Sequence, residues 1–465
     1  MTIFATLFSP ISSFIYLPAL TPIAASYHRS ISEINFTVTV YQIMQAISPL
    51  FFADLSDQIG RRPVYMITFT IYTAANIGLA LQNSYPALMV LRALQSTGSS
   101  ATVAIGSAIV SDLATSAERG GYISIVQGTI QFAPAIAPIL GGVLTQYFGW
   151  RSVFWFLVIA TAVFVVIYMP FVPETAQNVV GNGSIPPPKL NSSLTSSQLR
   201  PYGGRGILDA ETNRASHAPS APNKFKIPVP NVWAAVCIVF EKDVGALMLF
   251  MALFVMANFA ILIPLEDVMR REYHFNDLEV GLCYMPFAVG AVLGAITTGK
   301  LLDWNYARIA RSVGMSPDRK KGDDLRQFPI EKARLDVMWP WLVLAMTTII
   351  PWGWVVTAGT SLAAPLVVLF FAGMGVSGPV GILSTLLVDL YPMNPGRVSS
   401  TFNLTRATLS AVGTAVVQYI IDAWGYGYTY LFMGLLVLSA SPCILIVRKW
   451  GPHWREERYQ RFQKE

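Results

Sequence analysis

The chain has little charge. Asp, Glu, Lys and Arg make up 12% of its 465 residues, where a soluble domain carries about 25%. Hydrophobic residues reach 53%. The excess of six positive charges is therefore no nucleic-acid footprint, and no nucleic-acid partner is expected. Cysteine is scarce: Cys237, Cys283 and Cys443 have neither disulfide nor metal-ligand spacing. The four histidines (His28, His217, His274 and His453) fall outside the apolar runs, which excludes a buried histidine relay. No Asp or Glu lies in the middle of an apolar run, and Asp54, Glu266 and Asp267 sit at the ends of runs. No nucleophile–base pair, metal cluster or phosphate-binding loop occurs, so neither an enzyme nor an ATP-driven pump is expected, and no cofactor. Residues 2–20 are apolar without a basic segment before them. They read as a short first span, not a cleaved signal peptide.

Long apolar runs are abundant. A helix crosses a bilayer in roughly 20 apolar residues, and twelve such runs fall near 2–25, 34–53, 64–82, 86–112, 121–146, 151–172, 244–265, 279–299, 336–357, 362–389, 398–421 and 426–447. Residues 173–243 are rich in Pro, Ser, Asn and Gly and read as a linker, with 232–240 a candidate surface helix. The expected organisation is a six-span bundle over 1–172, the linker, a second bundle over 244–448 and a tail over 449–465. This is an all-α membrane protein of two six-helix halves. With both termini inside, Arg29, Arg151, Arg270 and Arg271 fall outside and Arg92 and Arg406 within spans, leaving 26 of the 32 basic residues on the cytoplasmic side. That asymmetry sets the orientation. The sequons at Asn182 and Asn191 would then stay unmodified. Trp339, Trp341, Trp352 and Trp354 read as interfacial anchors around span nine.

Between spans two and three stands Ala53-Asp54-Leu55-Ser56-Asp57-Gln58-Ile59-Gly60-Arg61-Arg62-Pro63, a short charged latch. Its Asp57, Gly60, Arg61 and Arg62 resemble the signature loop of major facilitator superfamily transporters. A weak repeat supports two related halves. Gly299-Lys300-Leu301-Leu302-Asp303 follows span eight as the latch follows span two. Asp112, with Arg119 beyond it, ends span four as Asp389, with Arg397 beyond it, ends span ten. In that family the acid at the end of helix four pairs with the latch arginines and closes the cytoplasmic side. The resemblance therefore implies a gate of Asp57, Gly60, Arg61, Arg62, Asp112, Arg119, Asp303, Asp389 and Arg397.

Arg92 is the sharpest single signal. A cation inside a span costs at least ~2.5–3.5 kcal/mol on insertion scales, so it should face a partner or a watery hollow. Gln95, Ser99 and Gly106 share its face. Its surroundings resemble the family's Arg-x-x-Gln-Gly-x-Gly motif in helix four, whose Arg is tied to proton coupling. Span five carries Gln131, Pro134, Pro138, Gly141 and Gly142. Prolines four apart bend a helix, and small residues admit a close neighbour. The pattern resembles the family's antiporter motif, with Ala133 and Ala137 in place of two glycines. Pro173-Glu174-Thr175, Phe240-Glu241-Lys242-Asp243 and the segment at Gly299 are similar to a narrower group, the fungal twelve-span drug:proton antiporters that include quinidine-resistance and dityrosine transporters.

Polar and aromatic residues at helical spacing are candidates to line a central pocket: Tyr41 and Gln45 on span two, Gln127, Gln131 and Phe132 on span five, Asn258 on span seven, Tyr284 on span eight, and Asn403, Arg406 and Ser410 on span eleven. Each alone also serves as helix–helix glue. The resemblance implies a monomeric plasma-membrane antiporter that exchanges protons for amphipathic small molecules such as drugs, toxins or secondary metabolites. Uptake or facilitated diffusion of a nutrient or polyamine, and a non-transporting receptor on the same fold, remain as alternatives.

Overall fold

A computed structural model describes residues 2–113, 119–180, 191, 239, 241–314, 328–358, 361–390 and 395–464. The surface helix expected over 232–240, the Asn182 sequon and most of the linker lie outside the described residues. Helices account for nearly all of what is described. The first half runs through α1 (Thr2–Phe14), α2 (Leu20–Tyr27), α3 (Ile31–Ile59), α4 (Arg61–Leu81), α5 (Tyr85–Leu113), α6 (Arg119–Phe148), α7 (Arg151–Phe171) and the single turn α8 (Gln177–Val180). The second runs through α9 (Lys242–Leu262), α10 (Leu265–Tyr273), α11 (Asp277–Cys283), α12 (Met285–Val313), α13 (Ile330–Leu335), α14 (Met338–Thr357), α15 (Ala363–Leu390), α16 (Pro395–Ala440) and α17 (Pro442–Lys464).

Nine stretches among the described residues are long and apolar enough to cross a membrane. The 29-residue α5 and the 30-residue α6 have the same reach. The stretch Thr401–Arg458 doubles back at Gly425, whose φ of 76° breaks the helix. The membrane-length segments are then consistent with the twelve expected spans. Helices suit this setting because each satisfies its own backbone polar groups away from water. Large apolar side chains such as Ile159, Val163 and Val166 on α7 and Val343 on α14 remain exposed, as a surface bathed in hydrocarbon allows. Trp341 and Trp352 are instead buried. They fill the core against neighbouring helices, which corrects their reading as interfacial anchors; Trp354 is 43% exposed.

The two halves repeat each other closely at one end. The first long segment of each is broken before a proline-led turn, at Pro18 and at Pro264. Each then ends on a histidine in the left-handed conformation, His28 (φ 51°) and His274 (φ 55°). Each is followed by a capping box, Ser30 with Glu33 and Asn276 with Glu279. This end is the far end; the opposite one, at Gly60, is the latch end. Helix α3 packs along α16, and α6 along α11 and α12, so these five helices join the halves.

Candidate functional site

At the latch, Gly60 has φ 107° and ψ 155°, a backbone shape costly for any residue with a Cβ. A Cβ there would also run into the side chains of Glu174 and Asn191. Glu174 explains the tight packing. Its carboxylate accepts from the backbone N–H groups of Arg61 (2.8 Å), Arg62 (3.2 Å), Thr175 (3.0 Å) and Ala176 (3.0 Å), and from Asn191 Nδ2 (2.9 Å). A buried anion thus sits on the N-terminus of α4, where orphan donors and the helix dipole favour it. Asn191, bonded also to the Ile59 carbonyl, has its amide enclosed. Arg61 donates from Nε to Asp112 (3.0 Å) and from a terminal nitrogen to Ser56 (2.6 Å), and it pairs with Asp57. Arg62 is buried beside it.

The second half carries a counterpart that the sequence reading missed. Arg334, on α13, contacts Asp389 Oδ2 through Nε (3.1 Å) and through a terminal nitrogen (3.0 Å). The pair ties the start of span nine to the end of span ten, as Arg61 and Asp112 tie spans three and four. Asp303 is exposed. The side chains of Arg119 and Arg397 lie outside the described residues. Both ion pairs join helices of the same half. The residues expected to form a tail continue as helix to Lys464. Arg455 is buried and bonded to the Phe328 carbonyl (3.0 Å), and Arg458 pairs with Glu241 (2.8 Å) and Asp243.

Arg92 points into the first half, not towards lipid. It is fully buried. Its guanidinium carbon lies 3.9 Å from the Tyr16 ring centre and 4.5 Å from that of Tyr41. Such desolvated cation–π contacts are worth about 2 kcal/mol or more. One terminal nitrogen donates to Gln95 Oε1 (2.5 Å), and Gln95 Nε2 donates to Asn76 (2.7 Å). Arg92 Nε and its second terminal nitrogen have no hydrogen-bond partner. Among the described residues no carboxylate reaches this buried cation, and the two rings and the Gln95 amide offset part of its desolvation cost. Tyr16 and Asn76 were absent from the sequence reading; an aromatic and an amide inside apolar runs carry no signal of what they meet.

The helix-five motif lies where the halves touch. Helix α6 runs unbroken through Pro134 and Pro138. A Cβ on Gly141 would strike the Ile15 carbonyl, and one on Gly142 the Asp277 carbonyl. These glycines therefore let α6 approach both span one and α11. The Gln131 side chain, with those of Gln127 and Phe132, lies outside the described residues. Around the contact is a polar clasp. The Thr21 N–H donates to both oxygens of Glu266 at 3.1 Å, Arg270 Nε donates to Glu266 (2.8 Å), Arg270 also pairs with Asp277, and the Asp277 N–H donates to Gln146 (3.0 Å). Deeper in, Thr414 donates to Gln42 (3.0 Å) and the Phe36 and Tyr419 rings lie 6.4 Å apart. The Thr21–Glu266, Asp277–Gln146, Thr414–Gln42 and Phe36–Tyr419 contacts hold the halves together from the far end towards the middle, and Arg270 braces the two acids within the second half.

The expected pocket residues divide. Tyr41 is fully buried, its hydroxyl 2.9 Å from both the Ser9 carbonyl and Ser99 Oγ. Tyr284 donates to the Leu262 carbonyl (3.0 Å), and Asn258 donates to the Phe254 carbonyl (2.9 Å). Tyr41 and Tyr284 pin helices together, while the Asn258 bond stays within α9. Gln45 is half-buried and contacts Ser9 Oγ at 3.3 Å. Asn403 is exposed and Arg406 half-buried, so span eleven keeps its polar stripe accessible.

Two helical halves joined along five helices, with ion pairs at one end and a clasp at the other, define a polytopic membrane transporter scaffold. The chain belongs to the Major Facilitator Superfamily, whose sequence profile matches residues 2–316. It is 38% identical to the MFS-type transporter phiD of a fungal species, over 97% of this chain and 68% of that protein. It is 37% identical to the MFS-type transporter tstD of Talaromyces stipitatus, over 97% and 81%. It is 34% identical to Citrate exporter 1 of Aspergillus niger, over 99% and 86%. Among solved structures it resembles the human organic anion transporter MFSD10, with a TM-score of 0.57 and 17% identity over 95% of this chain and 98% of that one, a likeness of fold. The protein is a multi-pass membrane transporter of small molecules and not an enzyme.

Proposed function

We propose that the chain is a proton-coupled antiporter that exports amphipathic small molecules, such as secondary metabolites, across the plasma membrane by alternating access. The latch end faces the cytoplasm, and the halves comprise residues 1–172 and 244–448. The observation that carries this reading is the uneven placement of contacts between the halves. The clasp of Thr21, Glu266, Arg270, Asp277 and Gln146 lies at the far end, and the latch-end ion pairs each stay inside one half. A rocking motion that parts the clasp would open the other side. Export, not uptake, follows the name of a relative at 34% identity and the antiporter-like Pro134, Pro138, Gly141 and Gly142. Arg92 is the proton-coupling residue: with two unbonded nitrogens it responds to any charge change nearby.

The test is flux in proteoliposomes under an imposed pH gradient, with rhodamine 6G and carboxyfluorescein as probes. Wild-type protein should move at least one probe against its gradient at the expense of the proton gradient. Arg92→Ala and Arg92→Lys should both abolish that flux at unchanged incorporation, because an ammonium cannot lie flat between Tyr16 and Tyr41 and still reach Gln95. Full activity in either variant removes the proton-coupling assignment.

A further inference from the structure

We infer that the polar stripe on α16 is an anion site, and that the transported molecules carry a carboxylate or similar negative group held by Arg406. The inference rests on the transporter reading above and names its substrate class.

Successive residues on a helix are turned by 100°. On α16 the exposed apolar side chains Val412 (54%) and Val416 (42%) mark one face, the lipid face. Asn403, Ser410 and Thr414 lie on the opposite face. Towards the far end that face is buried: Ser410 is 1% exposed, and Thr414 bonds Gln42 of α3. Towards the latch end Asn403 is exposed. A residue turned away from the lipid face yet exposed looks into a hollow between the halves. Arg406 lies one turn deeper on the flank of the same stripe. It is 11 residues from Pro395, about 16 Å along the axis, too deep to reach the rim with its side chain.

The groups around this hollow are donors. Among the described residues Arg406 has one hydrogen bond, from a terminal nitrogen to Asn403 Oδ1 at a long 3.4 Å, and no carboxylate partner. The Asn403 amide nitrogen is accessible. Deeper along the stripe, Ser410 Oγ and Gln42 Nε2 are buried and without any partner. An unpaired guanidinium within a span costs several kcal/mol, and buried donors left unsatisfied cost more. An entering carboxylate satisfies the Arg406 end of the stripe: a guanidinium takes it with two parallel bonds, and Asn403, already beside the guanidinium, offers an N–H. A cationic substrate would instead meet a like charge in a medium that screens poorly.

The test measures binding to purified wild-type, Arg406→Gln, Arg406→Lys and Asn403→Asp protein in detergent, with no gradient. The probes are carboxyfluorescein, an amphipathic anion, and rhodamine 6G, an amphipathic cation. Wild-type protein should bind carboxyfluorescein more tightly than rhodamine 6G. Arg406→Gln should lower the ratio of anion to cation affinity at least tenfold. Asn403→Asp, which places a competing carboxylate beside Arg406, should do the same, while Arg406→Lys should fall between. Unchanged ratios in both Arg406→Gln and Asn403→Asp, or tighter binding of rhodamine 6G by wild-type protein, overturn the assignment. Absence of gradient-driven flux of every probe would count against the antiporter reading alone, since this binding is read without a gradient.

Discussion

The buried pair Arg334–Asp389 offers a quantitative check on how the latch end is built. Its side chains are 4% and 3% exposed, and two nitrogens of Arg334 converge on one oxygen of Asp389. Removing one partner strands a charge in a dry site, which costs about 3–5 kcal/mol. Removing both charges leaves two polar isosteres that can still bond each other. Arg334→Gln and Asp389→Asn should therefore each destabilise by about 3–5 kcal/mol, and the double variant should recover about 2–3 kcal/mol of their sum as coupling. For a folding unit the size of one half, about 2–4 °C per kcal/mol, each single variant should melt roughly 10 °C below wild type. The assay is thermal unfolding of purified protein in detergent, followed by tryptophan fluorescence. The corresponding cycle on Arg61 and Asp112, at 8% and 14% exposure, should show a smaller coupling because water shares the load. Single variants melting within about 2 °C of wild type, well inside that slope, or a double variant no better than the worse single, would refute the reasoning.

Two further outcomes follow from the geometry. Glu174→Ala leaves four backbone N–H groups and the Asn191 amide without their acceptor. It should cost about 3 kcal/mol, with Glu174→Gln losing roughly a third of that; equal melting temperatures for Glu174→Ala and wild type would contradict this. Gly142→Val should wedge α6 away from the Asp277 carbonyl and loosen the clasp. Labelling of Thr21→Cys by an impermeant maleimide, in a background without Cys237, Cys283 and Cys443, should then rise severalfold, and unchanged labelling would speak against the glycine's role.

Much of the fold was legible because a bilayer makes hydropathy nearly decisive. Apolar runs fall close to the observed helices, and Gly60 with its arginines falls on a helix junction. What stayed hidden was pairing between segments distant in sequence. Arg334 was counted as one more loop cation, since nothing beside it hints at Asp389. Its position relative to span nine is that of Arg61 relative to span three, so the internal repeat could have found it. The strongest repeat was missed as well. Tyr27-His28 followed by Ser30 and Glu33, and Tyr273-His274 followed by Asn276 and Glu279, place a left-handed residue and a capping box at the same point of each half. The signal lies in local cap chemistry, not in charge. Tyr41 and Tyr284 are hard to place from sequence for a different reason. A polar group in a span must turn inward, but inward includes the seams between helices as well as the hollow. Only the exposure of neighbouring residues separates the two, and sequence does not carry it.

The placement of charge then separates two jobs. An ion pair inside one half is indifferent to rocking: Arg61–Asp112 and Arg334–Asp389 travel with their helices, so their energy adds to stability and not to the difference between states. A bond between halves enters that difference in full. In the proposed rocking motion the Thr21 N–H to Glu266 and the Asp277 N–H to Gln146 break when the far end opens; the bond to the Glu266 carboxylate is worth about 1.5–3 kcal/mol and the neutral one to Gln146 about 0.5–1.5 kcal/mol. A transporter needs states separated by only a few kcal/mol. A clasp of two or three such bonds is of the right size to hold the far end shut and weak enough to be released by a bound ligand. Helices α3 and α16 join the halves through Gln42 and Thr414, one turn from Ser410 and two from Arg406, so an anion at the proposed Arg406 site would sit within two turns of the seam that the proposed rocking motion has to move.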